Sequence, residues 1–160
     1  MDRRSFLRTS ALGGSAAAAS TLAAPAYAQG NRTLTMVTTW GRGLAGVHDS
    51  AQFCADKITE LTDGQVTVDL RAAGELVGAF EVFDAVTAGQ ADMYHGVDYY
   101  FLSQHPALSF FSQVPFGMTF QEYNNWIDHQ GGQELADELY SIFGLKAMAA
   151  GNTGPQSGGW

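Results

Sequence analysis

Thr33-Leu34-Thr35-Met36-Val37-Thr38-Thr39 alternates polar and apolar side chains and is rich in β-branched residues, the pattern of a strand. It runs into Trp40-Gly41-Arg42-Gly43, where a large aromatic meets a glycine turn. From Val47 to Leu61 the apolar residues Val47, Ala51, Cys54, Ala55, Ile58 and Leu61 recur on one face of a helix, which Asp63-Gly64 ends. Val66, Val68 and Leu70 then alternate as a second strand. Strand, helix and strand in that order make two parallel strands joined by a crossover that is right-handed in nearly all proteins. The pattern predicts an α/β fold assembled from Rossmann-like βαβ units.

A second unit follows. Ala72-Ala73-Gly74-Glu75-Leu76-Val77-Gly78 is a small-residue loop at the carboxyl end of the second strand; a short helix carries Phe80, Phe83 and Val86, and Ala91 to His95 supplies a third strand. Open α/β sheets bind ligands at the carboxyl ends of their strands, so Trp40, Glu75, Tyr99 and Tyr100 are expected to be neighbours at a ligand site. Farther on, Thr119 and Glu122 form a capping box for a helix presenting Phe120, Tyr123 and Ile127. Gly131-Gly132 precedes another helix carrying Leu135, Leu139, Ile142 and Phe143, and Gly144 ends it. Leu145 to Ala150 reads as a buried strand that empties into Gly151-Asn152-Thr153-Gly154-Pro155-Gln156-Ser157-Gly158-Gly159-Trp160. Glycine lets backbone approach a ligand, and Asn152 and Gln156 offer amide donors and acceptors without charge. An ordinary surface loop or a flexible tail has the same composition.

The first 28 residues have the three parts of an export signal in order. Arg3 and Arg4 with Arg8 form a charged head, Ala11 to Ala24 a weakly apolar middle, and Ala26-Tyr27-Ala28 a cleavage site. Arg3-Arg4-Ser5-Phe6-Leu7 looks like a twin-arginine signal, which predicts a periplasmic product starting at Gln29. The chain carries a formal charge of −8, and the leader holds Arg3, Arg4 and Arg8 against one acid, Asp2, so the remainder is more acidic still. A surface of that sign argues against nucleic acid or an anionic membrane as partner, and an anionic ligand must be held by local contacts.

The chemistry of catalysis is missing from the pattern. His48, His95, His105 and His129 show neither i, i+4 nor HExxH spacing, and Cys54 stands alone, a small hydrophobe of the helix rather than half of a disulfide. There is no nucleophile elbow, Walker loop or G-x-G-x-x-G. An exported α/β chain whose strand ends carry Trp, Tyr, Asn and Gln suits a binding protein for a small polar or anionic solute. An exported metal-dependent enzyme using some of the histidines is the alternative from another class.

The residues resemble the solute receptors of tripartite ATP-independent periplasmic (TRAP) transporters, in the branch that binds 2-oxo acids and related monocarboxylates. The resemblance spans Thr33 to Trp160. It is carried by Gly89-Gln90-Ala91-Asp92-Met93, by Phe110-Phe111-Ser112-Gln113-Val114-Pro115-Phe116-Gly117-Met118-Thr119, and most specifically by Gly151 to Trp160.

Membership implies a periplasmic-binding-protein-like fold of two hinged α/β domains with the solute in the cleft, a membrane permease as partner and, in some members, a homodimer. It implies no cofactor beyond a cation, commonly sodium, that accompanies the carboxylate, and it gives Gln156 the role of contacting both. Trp40, Tyr99 and Tyr100 are matched by position to the cleft walls. The family's carboxylate-clamping arginine and its second domain have no counterpart here, since Arg42 and Arg71 do not occupy that place. The expectation is therefore a leader at 1–28, a first α/β domain at 29–150, and the start of an inter-domain segment at 151–160 in a truncated chain. On that reading an inert receptor fragment is a further alternative.

Overall fold

The computed structural model describes residues 31–112 and 114–152. The expected leader, and Gln156 with the rest of the Gly-Pro-Gln segment from Thr153 on, lie outside them. The element order is β1 (Arg32–Thr38), α1 (Val47–Leu61), β2 (Val66–Arg71), α2 (Val82–Thr87), β3 (Met93–His95), α3 (Phe120–His129) and α4 (Gly132–Ser141). Two 3-10 helices, Asp98–Phe101 and Pro106–Phe111, fill the stretch between β3 and α3.

The sheet has the order β2-β1-β3 and both pairings are parallel. Leu34 is opposite Val68 and Met36 opposite Leu70 on one side, and Met36 is opposite Met93 and Thr38 opposite His95 on the other. The chain thus leaves β1 for one edge through α1 and returns past β1 to the other edge through α2. The reversal puts a topological switch point between the carboxyl ends of β1 and β3, where such sheets form a crevice.

Alternation along β1 decides what packs on each face. Met36 turns to one layer with Ala51 of α1 and Leu70, which Cys54, Ile58 and Met93 extend. Val37 turns to the other, with Val82 and Phe83 of α2, Phe101, Leu108, and Leu139 and Tyr140 of α4. Phe83 is the largest side chain almost wholly removed from solvent, and its ring packs on Tyr94, Phe101 and Phe143 with centroids 5.9, 5.3 and 5.1 Å away.

Three sequence expectations change. α1 buries His48, Ala51 and Ala55, while Leu61 at its last position is exposed. α4 buries Ala136, Leu139 and Tyr140, and leaves Leu135 and Ile142 in solvent; the small Ala136 and the amphipathic Tyr140 allow closer packing than the leucine face would. The buried strand expected at Leu145 to Ala150 is not there. Leu145 and Ala147 are half-buried against the main core, but Lys146, Met148, Ala149 and Ala150 are exposed, and no described strand pairs with them. A short apolar run does not make a strand without a neighbour to complete its ladder.

Two local signals hold. Thr119 caps α3, its hydroxyl accepting the Glu122 N–H at 3.4 Å while Glu122 Oε2 accepts the Thr119 N–H at 2.7 Å. Gly144 adopts φ 69°, the left-handed turn that lets Leu145 N–H reach back to the Tyr140 carbonyl at 3.1 Å. Phe83→Ala should cost about 3–5 kcal/mol, as expected for emptying a large buried aromatic site, and urea denaturation followed by far-UV circular dichroism checks it.

Candidate functional site

Beyond β1 the chain turns sharply at Thr38, whose hydroxyl donates to the Trp40 carbonyl at 2.9 Å and accepts the Trp40 N–H at 3.2 Å. That local closure fixes Trp40 at the switch point, nearly buried. Across the crevice the Thr39 N–H donates to the His95 carbonyl at 3.2 Å, continuing the β1–β3 ladder one step past the strands. The Trp40 indole N–H then donates to His95 Nδ1 at 2.8 Å. Since Nδ1 accepts, the neutral ring carries its proton on Nε2. Burial holds the His95 pKa below its ordinary value, against a smaller upward pull from the Ala150 backbone.

The segment from Gly144 to Asn152 passes over this point without a ladder of its own. Side chains hold it. Ser50 of α1 donates its hydroxyl to the Ala150 carbonyl at 3.0 Å, with the Cys54 thiol 3.9 Å from the same oxygen. Gln133 of α4 donates to the Ala147 carbonyl at 2.8 Å, and Lys146 pairs with Asp137 at 2.6 Å. A Cβ on Gly151 would overlap the Ser50 hydroxyl, so the close approach requires glycine.

Between β3, this segment, the loop at 114–119 and the facing sides of α3 and α4 lies an open cavity of ≈1040 Å³. Trp40, Tyr99 and Asn152 line it. Tyr100 is not on its wall. It packs behind Trp40 with ring centroids 6.1 Å apart, and is itself backed by Phe80 at 5.2 Å. Glu75 is also apart from the cavity. Its carboxylate takes both ends of the Arg42 guanidinium at 2.6 and 2.7 Å and the Ala72 N–H at 3.1 Å, and the arginine hydrogen bond holds its pKa down at about 2. The loop that carries Glu75 does reach the site, through the Ala73 N–H on the Trp40 carbonyl at 2.9 Å.

Pattern reading missed two residues here. His95 was placed on a strand with no role, because nothing in a single histidine shows which indole it will meet. Asp98 carried no motif either. Tyr140 donates its hydroxyl to Asp98 Oδ1, the Tyr94 hydroxyl lies 3.4 Å from the Tyr140 oxygen, and all three face the cavity. Burial pushes the Asp98 carboxyl up to about 6, against the smaller downward pull of the Tyr140 hydrogen bond.

Among the described residues the cationic side chains are spoken for. Arg32, Arg42, Lys57, Arg71 and Lys146 each sit in an ion pair with Asp92, Glu75, Glu60, Asp69 and Asp137 respectively. Among the described residues no three His, Cys, Asp or Glu side chains gather to hold a metal ion. No described helix is long and apolar enough to cross a membrane.

Two outcomes follow from this geometry. Folding raises the Asp98 pKa from its ordinary 3.8 to about 6, so the folded state is favoured by protonation, and that gain is lost as pH rises through 6. Asp98→Asn, which still accepts from Tyr140, should raise stability at pH 7 by about 1–2 kcal/mol after allowing for partial solvent contact, and flatten its change between pH 4 and 6; urea titrations across that range test it. Gly151→Ala must turn the Ser50 hydroxyl off the Ala150 carbonyl, costing about 1 kcal/mol, and Ser50→Ala should reduce that penalty when the two are combined.

Residues 38–157 match the model of the DctP family, described as bacterial extracellular solute-binding protein, family 7. The chain is 38% identical over 125 residues to the monocarboxylate 2-oxoacid-binding periplasmic protein of Nostoc sp., covering 78% of this chain and 34% of that protein. A TRAP periplasmic solute-binding protein from Pseudoalteromonas atlantica, solved with sodium and pyruvate, matches with TM-score 0.69 at 32% identity, over 71% of this chain and 35% of that one. The TRAP solute-binding protein from Bordetella bronchiseptica, a dimer with calcium and picolinate in its site, matches with TM-score 0.69 at 28% identity, over 71% and 34%. The chain thus spans about a third of the length of these relatives. With the family's model matched over most of its length and the family's fold in its sheet, this chain belongs to family 7 of the bacterial extracellular solute-binding proteins, a family of receptors and not of enzymes.

Proposed function

We propose that the chain serves as the periplasmic receptor of a TRAP-type transporter, taking a small monocarboxylate of the 2-oxo acid class with a cation and passing it to the membrane permease. The observation that carries this reading is the cavity at the switch point, where Trp40 and Tyr99 offer aromatic walls and Asn152 leads into the Gly-Pro-Gln segment. Pyruvate has a short carbon skeleton for such walls and three oxygens that need donors. The bound solutes of the relatives, pyruvate with sodium and picolinate with calcium, have the same character, a carboxylate beside a second acceptor.

The ion pairs described above leave no Arg or Lys of the described residues to clamp a carboxylate. The counter-charge must come from elsewhere, and Gln156 with a sodium or calcium ion is the proposed source of the remaining contacts. On this reading residues 1–28 are a twin-arginine leader, 29–150 the first α/β domain, and 151–160 the beginning of the connection to a second; a dimer is the proposed assembly. Tyr100 supports Trp40 through ring contact, and Glu75 acts from outside the cavity, by holding Arg42 and the loop whose Ala73 N–H meets the Trp40 carbonyl.

Saturation-transfer NMR of pyruvate with the 160-residue chain, in sodium or calcium buffer, tests the assignment. The expected result is weak binding, roughly millimolar, that Trp40→Ala and Gln156→Ala each reduce. Absence of any transfer to pyruvate and to longer 2-oxo acids in either buffer would overturn it.

A further inference from the structure

Asp98 brings a carboxyl to the cavity without a counter-charge among the described residues. It opens the 3-10 helix Asp98–Phe101 and lines the same space as Trp40, Tyr99 and Asn152. The donor it meets there is the Tyr140 hydroxyl, on Oδ1. With the Tyr140 proton used in that way, the Tyr94 hydroxyl 3.4 Å off donates to the Tyr140 oxygen. A third phenol of the wall, Tyr123, gives its proton to the Phe111 carbonyl. The hydroxyl protons of all three are thus committed within the protein. Two other charged side chains on the wall have ion-pair partners: Asp92 has Arg32 at 3.9 Å, and Lys146 has Asp137 at 2.6 Å.

We propose that Asp98 is a specificity-determining residue of the receptor, admitting a solute with one carboxylate and rejecting one that carries a second. The proposal rests on the receptor reading above and deepens it. Charge decides the matter. A monocarboxylate with sodium is neutral as a pair, and with calcium the pair is positive; the relatives hold pyruvate with sodium and picolinate with calcium. Either pair meets the Asp98 carboxylate without net repulsion. A dicarboxylate with one sodium ion keeps a negative charge over. That charge would face Asp98 in a space partly shielded from water, where like charges repel more strongly than in bulk solvent. None of the three phenols has a proton left to offer it.

Burial holds the Asp98 pKa up at about 6, so the group is mostly charged at neutral pH and loses its charge in mild acid. The titratable groups around it are Tyr94 on β3, Tyr123 on α3 and Tyr140 on α4, phenols that burial raises above their ordinary value, with Tyr99 and Tyr100 on its own helix. His95, also on the wall, has its pKa lowered by burial and gains charge only in acid. A substitution at position 98 leaves His95 in place, which separates the two.

The test compares 2-oxoglutarate with its 5-methyl ester, by ligand-observed NMR titration of the 160-residue chain in sodium buffer, with pyruvate as reference. Both compounds carry the 2-oxo acid head. The ester is the larger and lacks the second charge, so a preference for it reads charge and not size. At about pH 7.5 the wild type should bind the ester at least about tenfold more tightly than the acid, and Asp98→Asn should bring the two within about threefold. In the wild type the gap should narrow as pH falls to about 5.5, where the second carboxyl of 2-oxoglutarate is still ionised; narrowing that remains in Asp98→Asn belongs to His95. Should Asp98→Asn not fold, Tyr140→Phe takes its place. Losing the hydroxyl that stabilises the carboxylate raises the Asp98 pKa and moves the narrowing to higher pH, which a titration of His95 alone would not do. The proposal is overturned if the wild type takes the acid as well as the ester, if the gap is the same in Asp98→Asn, or if Tyr140→Phe leaves the pH of narrowing unmoved. Binding of pyruvate with neither the acid nor the ester overturns it too, since size then makes the selection. If pyruvate, acid and ester all fail to bind, the receptor reading falls and this proposal with it; if all three bind alike, this proposal falls alone.

Discussion

A three-stranded parallel sheet must cover both faces of its middle strand, and every later feature of this chain depends on how β1 meets that demand. Met36 commits one face to α1 and Val37 commits the other to α2 and α4. With both layers in place the carboxyl end of β1 is held from above, below and both sides. The turn closed by the Thr38 hydroxyl then has a rigid base, and Trp40 emerges in one place rather than many. The site is precise because the strand beneath it cannot move without opening two cores.

The polar groups around that point are organised by scarcity of backbone partners. Regular ladders end at Thr38 and His95, and the Thr39-to-His95 bond is the final rung. Past it, carbonyls at Ala147 and Ala150 turn to side chains for their hydrogen bonds: Gln133 for one and Ser50 for the other. A backbone held by side chains from α1 and α4 is sensitive to both of those elements. The Asp98 carboxyl, kept partly desolvated against Tyr140 and raised toward neutrality, belongs to the same cavity and shows how little charge its walls tolerate.

Electrostatics divides the molecule along similar lines. The acidic excess is spread over exposed helix faces, and each described cation is tied to a neighbouring carboxylate near the surface. Such pairs contribute little to stability, but they remove the cations from competition for an anion. The Arg42–Glu75 pair is the clearest instance. Its geometry is bidentate, as a carboxylate ligand would require, yet the carboxylate it grips is its own neighbour's.

The sequence by itself determined the elements whose cause is local. α1 begins at Val47 and ends at Leu61 as the periodicity predicts, the capping box starts α3 after Thr119, and Gly144 turns the chain where only a left-handed residue fits. Those signals live within a few residues, so a single sequence contains them whole. Tertiary structure decided the rest. It chose Ala136 and Tyr140 over Leu135 and Ile142 as the inner face of α4, because the space beside Val37 and Phe83 is set by residues far away in the chain. It left Leu145 to Ala150 without a ladder, because a strand is a property of a pair and no described neighbour offers the other half. And it joined Trp40 to His95 across 55 positions of sequence, a contact that no local pattern encodes, since the strand order β2-β1-β3 alone makes them adjacent.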